Sequence, residues 1–467
     1  MSPPLPPSLT KSPLRALLTL AAPIILANVL QAGYQLTDSF WVGRISGDAL
    51  AAVSLCTPII FLTIALGTGF AVAGSAFVAQ YFGARNDQMV SRAAAQTLLM
   101  VLVTSSFLST IGYFASPSIL AWMGVPENLV GMAESFLKLA FIGMVANFTF
   151  FMFQSIMRGV GRTGLPLWII FGTVLINIAL DPFFIFTMEM GVAGAALATI
   201  VTQTAAALIG LWVLLAGKHG IRIRWSDFRP DFVFIRRAFW MGLPSSIEQS
   251  SRGLGMTTLT ALVTSFGATA VAAYGVGGNI FLLVMFTSMS IAMANSTLVG
   301  HALGAGDPAR AVAVARLAIK LSFIVLALLG GVVWLSAPWI IALFVPGETT
   351  VIAAGAEFLR FIAPSFPLVA MQMTLSMVFI AAGQTRLSMM ITIASQWACQ
   401  IPLAYLLSYF FDIQGVWLAF GLAYAFSLPV VFVLFFRGSW QRARLTVEKR
   451  EQRDISKEIL KEEGIPL

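Results

Sequence analysis

Long runs of apolar residues alternate with short polar segments along almost the whole chain. Each run is long enough for a membrane-spanning helix, which needs about 20 predominantly apolar residues. The twelve runs fall near residues 14–42, 51–81, 92–115, 130–157, 165–187, 191–216, 236–265, 270–302, 311–335, 351–381, 387–411 and 413–436. This pattern predicts an all-α polytopic membrane protein with twelve transmembrane helices.

The second half of the chain repeats features of the first. Gly83 recurs as Gly304, 221 residues later. The same shift relates Arg15 to Arg236, Pro23 to Pro244, Ser75 to Ser296 and Pro117 to Pro338. Six helices in each half keep the two repeats in the same direction, so they are parallel repeats about an axis along the membrane normal. We therefore expect two six-helix lobes around a central cavity, as in many transporters.

The repeat divides the chain into five predicted parts. They are an N-terminal segment at 1–13, an N-lobe of helices 1–6 at 14–217, a connector at 218–235, a C-lobe of helices 7–12 at 236–436, and a charged tail at 437–467. Basic residues gather at the helix ends on the side of the termini, whereas the other side has chiefly Arg44, Lys138 and Arg360. Because basic loops stay inside, both termini and the connector are predicted to be cytoplasmic, in an inner membrane of prokaryotic type.

Composition excludes several classes of protein. Charged residues make up 10% of the chain, against roughly 25% in soluble domains, and the net charge of +8 comes from the loops. We therefore expect no nucleic-acid partner and no obligatory protein partner. The nearest approach to a phosphate-binding loop, Gly217-Lys218, is followed by His219 where Ser or Thr is required. With no catalytic motif either, the chain is predicted to be a secondary transporter driven by an ion gradient, without enzymatic activity or cofactor.

A carboxylate lies inside one apolar run. Asn177 and Asp181 are four residues apart, so they share one face of helix 5. Pro182 cannot donate a backbone hydrogen bond, which leaves the carbonyl of Ile178 without its helical partner. An intramembrane acid is costly and marks a candidate functional site. These oxygens suit a proton or a hard cation; the alternative is an Asp at a helix end near the headgroups.

Helix 1 carries a second polar cluster. Spacings of three, four and seven residues place its members on one face: Gln31, Tyr34, Gln35 and Asp38. A rise of about 1.5 Å per residue puts Asp38 about 35 Å along helix 1 and Asp181 about 24 Å along helix 5. Thr199 lies about 12 Å from the outer end of helix 6. All three therefore fall in the outer half of the N-lobe.

Other intramembrane polar residues allow two interpretations. Glu248 and Arg252 on helix 7 are spaced for an ion pair, which would be structural, or they contact the substrate. Asn147 and Gln154 on helix 4 are seven residues apart and line the N-lobe cavity, or they join helices by hydrogen bonds.

The chain resembles a known family at these residues. The duplicated twelve-helix plan, the helix 1 pattern and Asn177-x-x-x-Asp181-Pro182 resemble the multidrug and toxic compound extrusion (MATE) transporters, closest to their DinF-like prokaryotic branch. The NorM-like branch has an acid on helix 10, where residues 371–380 have none. The resemblance implies that Asp38, Asn177, Asp181 and Thr199 form a site for H⁺ or Na⁺. These four residues would be metal ligands only if Na⁺ is the coupling ion.

These observations predict an antiporter that exports amphipathic, cationic organic compounds in exchange for H⁺ or Na⁺ by alternating access. The predicted substrate-cavity residues are Gln31, Tyr34, Gln35, Asn147, Gln154, Glu248 and Arg252. One alternative is a lipid-linked saccharide flippase. A flippase would need a more cationic central cavity, whereas few basic residues lie in the middle of the helices here, chiefly Arg252. Another is a channel, for which uncoupled and non-saturating flux would be diagnostic.

Overall fold

The structure, a computed structural model, describes residues 12–217, 221–442 and Leu445. Most of the predicted N-terminal segment, residues 218–220 of the connector, and nearly all of the tail beyond Arg442 lie outside this description.

The first half forms six helices from the predicted apolar runs. They are α1 (Pro13–Gly43), α2 (Gly47–Gly83), α3 (Asp87–Trp122), α4 (Glu127–Gly159), α5 (Gly164–Pro182) and α6 (Gly191–Ala216). Beyond Pro182, α5 continues as a π-helical turn, Phe183–Thr187. The chain therefore stays helical past its proline, as intramembrane backbone must in order to satisfy its own polar groups.

The second half follows the same order. The helices α7 (Phe232–Thr264), α8 (Ala268–Gly304) and α9 (Pro308–Phe344) precede α10, which has two parts, Thr349–Ile362 and Phe366–Ala381. Next comes α11, which starts at Thr385–Ile393 and widens into a π-helical segment, Ala394–Gln400. The remainder, Ile401–Phe436, contains the end of α11 and all of α12.

The boundary between α11 and α12 is a tight reversal. Phe411 and Asp412 have non-helical backbone angles. A Cβ atom on Gly415 would lie 2.2 Å from the carbonyl oxygen of Leu407, although eight residues of straight helix span about 12 Å. Further from the turn, the hydroxyls of Ser395 and Ser427 are 3.1 Å apart. The described residues therefore contain twelve long helices, as predicted.

The structural repeat agrees with the sequence repeat. Both α2 and α8 contain 37 residues, and their starts and ends are displaced by the predicted shift. The caps of the following helices also correspond: Asn86 accepts a hydrogen bond from the Met89 N–H at 3.0 Å, and Asp307 accepts one from the Arg310 N–H at 2.9 Å. The two six-helix lobes are thus confirmed.

The lobes meet on the side that carries the termini. The Gln80 amide on α2 donates to the carbonyl of Ala381 at 2.7 Å, and His301 on α8 donates to the carbonyl of Gly159 at 2.7 Å. Gln80 and His301 are equivalent in the repeat, as are Gly159 and Ala381. The N–H of Leu445 donates to the Gln80 side-chain oxygen at 2.7 Å. We call these contacts the closed face.

Glycines allow the two central helices to cross at the closed face. A Cβ on Gly83 would lie 2.1 Å from the His301 carbonyl oxygen, and one on Gly304 would lie 1.9 Å from the Gln80 carbonyl oxygen. Real Cβ atoms do not approach other atoms so closely, so the backbones touch only because both residues lack a side chain. At Gly33 on α1 and Gly275 on α8, by contrast, a Cβ would meet no atom within 4 Å. The closest backbone contacts between the lobes therefore lie on the side that carries the termini.

Candidate functional site

The centre of the candidate site is a polar pair on α5. Asn177 and Asp181 are fully buried, one helical turn apart. The Asn177 amide donates to one Asp181 carboxylate oxygen at 3.0 Å. The second Asp181 oxygen and the Asn177 carbonyl oxygen are buried and have no hydrogen-bond partner among the described residues. Because such groups normally have partners, these two oxygens indicate a ligand.

Helix α1 brings two further oxygens to this pair. The Tyr34 hydroxyl and one Asp38 carboxylate oxygen are also buried without a hydrogen-bond partner in the described part of the chain. Asp38 lies close enough to Asp181 for the two carboxylates to interact electrostatically. Tyr34 faces Thr199 and Thr202 on α6. The structure therefore brings together Asp38, Asn177 and Asp181. Thr199, the fourth residue of the predicted cation site, lies beside Tyr34.

The chemistry of this N-lobe pocket follows from its two carboxylates. Their proximity and burial disfavour the state in which both are ionised, because like charges repel and water is excluded. A proton removes one charge, and a monovalent cation balances it. The unpartnered oxygens are the ligand type that hard cations prefer. The residues present therefore fit either H⁺ or Na⁺.

Two residues that continue the helical faces of this pocket were missed in the sequence. Thr202 follows Thr199 by one turn of α6 and lies beside Tyr34. Trp41 follows Asp38 by one turn of α1, and its ring lies edge-on to Phe186 with centroids 6.1 Å apart. The indole N–H of Trp41 is buried without a partner among the described residues. Helical spacing alone would have included both, since they continue the faces already identified.

The remaining N-lobe candidates lie outside the unpartnered oxygen cluster. Gln35 is exposed, whereas Gln31, Asn147 and Gln154 are half-buried. Their predicted contact with substrate stays a prediction.

In the C-lobe, Glu248 is the centre of a hydrogen-bonded network. One of its oxygens accepts from the Arg252 guanidinium at 3.0 Å and from the Thr392 hydroxyl at 2.9 Å, and the other accepts from Ser388 at 2.8 Å. Glu248 is only 3% exposed. Its charge is therefore balanced by Arg252 and its oxygens are satisfied, which favours the structural interpretation of this ion pair.

We predict that Arg252→Ala destabilises the protein more than Glu248→Gln. The first substitution leaves a buried carboxylate without its counter-charge, which costs about 3–5 kcal/mol. The second leaves Arg252 with its charge, on a side chain that is 22% exposed and so less deeply buried than Glu248. The thermal unfolding of both variants in detergent measures the difference. Equal stability of both variants, with an altered range of substrates, would instead make the pair a substrate contact.

Comparisons with known proteins agree with this architecture. The model of the MatE family matches residues 23–183 and 244–406, two segments whose starts are separated by the shift of the internal repeat. The chain is 28% identical to the probable multidrug resistance protein YoeA of Bacillus subtilis over 92% of this chain and 95% of that protein. It is 24% identical to the probable multidrug resistance protein NorM of Thermotoga maritima over 93% of this chain and 95% of that one.

Solved structures show the same fold. One is described as the outward-facing conformation of a multidrug resistance MATE family transporter of the MOP superfamily, with a TM-score of 0.89, 25% identity, and coverage of 95% of this chain and 99% of that one. Another is a MOP superfamily transporter from Pyrococcus furiosus whose binding pocket is described as having reverse polarity. Its TM-score is 0.88, with 25% identity and the same coverage.

Proposed function

The chain belongs to the MatE family of integral membrane transporters, and from that premise we propose that it exports amphipathic, cationic organic compounds in exchange for H⁺ or Na⁺. Relatives described as multidrug resistance and multidrug export proteins support the export of small molecules. One observation carries the proposal of ion coupling: one buried oxygen each of Tyr34, Asp38, Asn177 and Asp181 has no hydrogen-bond partner among the described residues. The cation or proton binds among them, with Thr199 and Thr202 beside it.

The mechanism we propose follows from the position of this pocket. It lies in the half of the N-lobe away from the closed face, so in this proposal an ion enters from that side while the closed face blocks the other. An ion that binds there changes the charge of the pocket and weakens the binding of a cationic substrate. Release of the substrate then allows the lobes to rock, which opens the closed face and exposes the pocket to the opposite side.

The direction of transport depends on orientation, which we infer from the basic residues. Both termini and the connector are cytoplasmic in this proposal, so the closed face lies on the cytoplasmic side. In a variant lacking the native cysteines, Glu348→Cys should react with a membrane-impermeant thiol reagent from outside and Ser226→Cys should not; both residues are exposed. The labelling of both variants in intact cells measures this. The reverse pattern would place the connector outside and reverse the proposed direction.

Transport by the purified protein in liposomes tests the function directly. Under an imposed pH or Na⁺ gradient, a cationic dye should move against its own gradient, saturate with concentration, and stop when the gradient collapses. Movement that follows only the dye's own gradient, without saturation, would identify a channel. Saturable transport without response to either ion would exclude the proposed antiport.

A further inference from the structure

A cavity lies at the closed-face end of the C-lobe. We propose that it binds the phosphate headgroup of an anionic lipid. The cavity has a volume of about 530 Å³, within the range of roughly 300–1,000 Å³ that is typical of small-molecule sites. Three stretches of chain form it: the first turns of α7, the turn that leads into α11, and residues that follow α12. It is separate from the N-lobe pocket.

The charge of the cavity wall selects an anion. Arg237 from α7 and Arg386 from α11 both line it. In the described part of the chain, no carboxylate lines the cavity and neither arginine forms an ion pair. The guanidinium group of Arg237 lies 5.7 Å from the centre of the Phe77 ring on α2, which helps to hold its position. Guanidinium groups bind phosphate through two parallel hydrogen bonds, so two of them form a suitable phosphate site.

The hydroxyl groups of the cavity and its depth in the membrane restrict the class of ligand further. Thr385 and Ser439 add hydroxyls to the wall. Arg237 is about 8 Å along α7 and Arg386 is in the first turn of α11, so both lie near the headgroup level of the bilayer. Basic pockets between transmembrane helices at this level bind anionic lipid headgroups.

The apolar part of the wall favours a lipid over a soluble anion. Trp240 and Leu387 line the cavity beside the two arginines. Trp240 is 51% exposed, and tryptophan is enriched where headgroups meet the hydrocarbon core. A molecule with a phosphate and an acyl chain satisfies both parts of the wall, whereas a free phosphate satisfies only the arginines.

Native mass spectrometry of the full-length chain can test this proposal, with phosphatidylglycerol and phosphatidylcholine as probes. The wild-type protein should retain phosphatidylglycerol in preference to phosphatidylcholine. In the double variant Arg237→Gln/Arg386→Gln, the preference for phosphatidylglycerol should fall at least tenfold. The matched control is Arg236→Gln/Arg437→Gln, which removes the same charge from two exposed positions outside the cavity. It should bind phosphatidylglycerol within about twofold of the wild type.

Three outcomes would overturn the proposal. An equal loss in the control variant would show a general attraction to basic surface. Unchanged binding by the cavity variant would place the lipid elsewhere. Competition by soluble glycerol phosphate at the same concentration as the lipid would identify a free anion as the ligand. If the double variant does not fold, the single variant Arg386→Gln, at an exposed position, takes its place. Its preference for phosphatidylglycerol over phosphatidylcholine should fall at least threefold. All these measurements are independent of transport, so they stand whether or not the antiport proposal holds.

Discussion

Asp38→Asn and Asp181→Asn should each reach the membrane and reduce gradient-driven export at least tenfold. Each substitution removes one negative charge and nearly preserves the shape of the side chain. The pocket then holds one carboxylate, so binding of H⁺ or Na⁺ no longer relieves the repulsion that couples ion to substrate. Dye efflux from cells lacking their main pumps, with membrane levels measured in parallel, gives the comparison.

The matched control for this prediction is Asp48→Asn. Asp48 is exposed in the first turn of α2, so its loss should leave export near the wild-type rate. Coupling between two ligands is reciprocal, and the same pocket variants should therefore also lose the effect of the ion on substrate affinity. Near-normal efflux by both pocket variants at normal membrane levels would place the coupling ion elsewhere in the protein.

Gly304→Leu should abolish closure of the termini side and reduce transport by about 100-fold. The new Cβ would lie 1.9 Å from the Gln80 carbonyl oxygen, and this atom belongs to backbone that cannot rotate away. Overpacking of this kind costs about 3 kcal/mol, which shifts a two-state equilibrium by about two orders of magnitude. The protein should fold, because the clash arises between lobes and is relieved when the lobes separate.

The matched control lies on the same helix. Gly275→Leu on α8 introduces the same side chain where a Cβ meets no atom within 4 Å, so its transport should remain within about twofold of the wild type. Cysteine accessibility on the termini side should rise in Gly304→Leu and not in Gly275→Leu. Full transport by Gly304→Leu would mean that the two backbones do not need to touch during the cycle.

The apolar pattern predicted the helices well where it was uninterrupted. The run at 191–216 matches α6 at both ends. The end of α9 was wrong by nine residues: the run was ended at 335, whereas the helix continues to Phe344. Ser336 and Pro338 resemble the end of a helix. One proline removes only a single backbone hydrogen bond, however, and the apolar residues beyond it keep the backbone inside the membrane.

The two polar sites differed in how much of them the sequence could show. The N-lobe pocket is built from helical faces, so helical spacing, apolar surroundings and estimated depth indicated Asp38, Asn177 and Asp181. The cavity beside Arg237 and Arg386 combines residues more than a hundred positions apart, and no local periodicity connects them. The reversal at Asp412 appeared in the sequence only as a one-residue gap between two apolar runs. The non-helical backbone there does not change the pattern of apolar residues.

The closed face has the form of a contact between two identical subunits. Gln80 of the N-lobe contacts the last residue of α10 in the C-lobe, and His301 of the C-lobe contacts the last residue of α4 in the N-lobe. In a dimer of six-helix chains, one residue would make both contacts through a twofold axis, and every mutation would alter both. Fusion into one chain separates the two positions. Glutamine and histidine could then diverge, and each side of the contact can be tuned without changing the other.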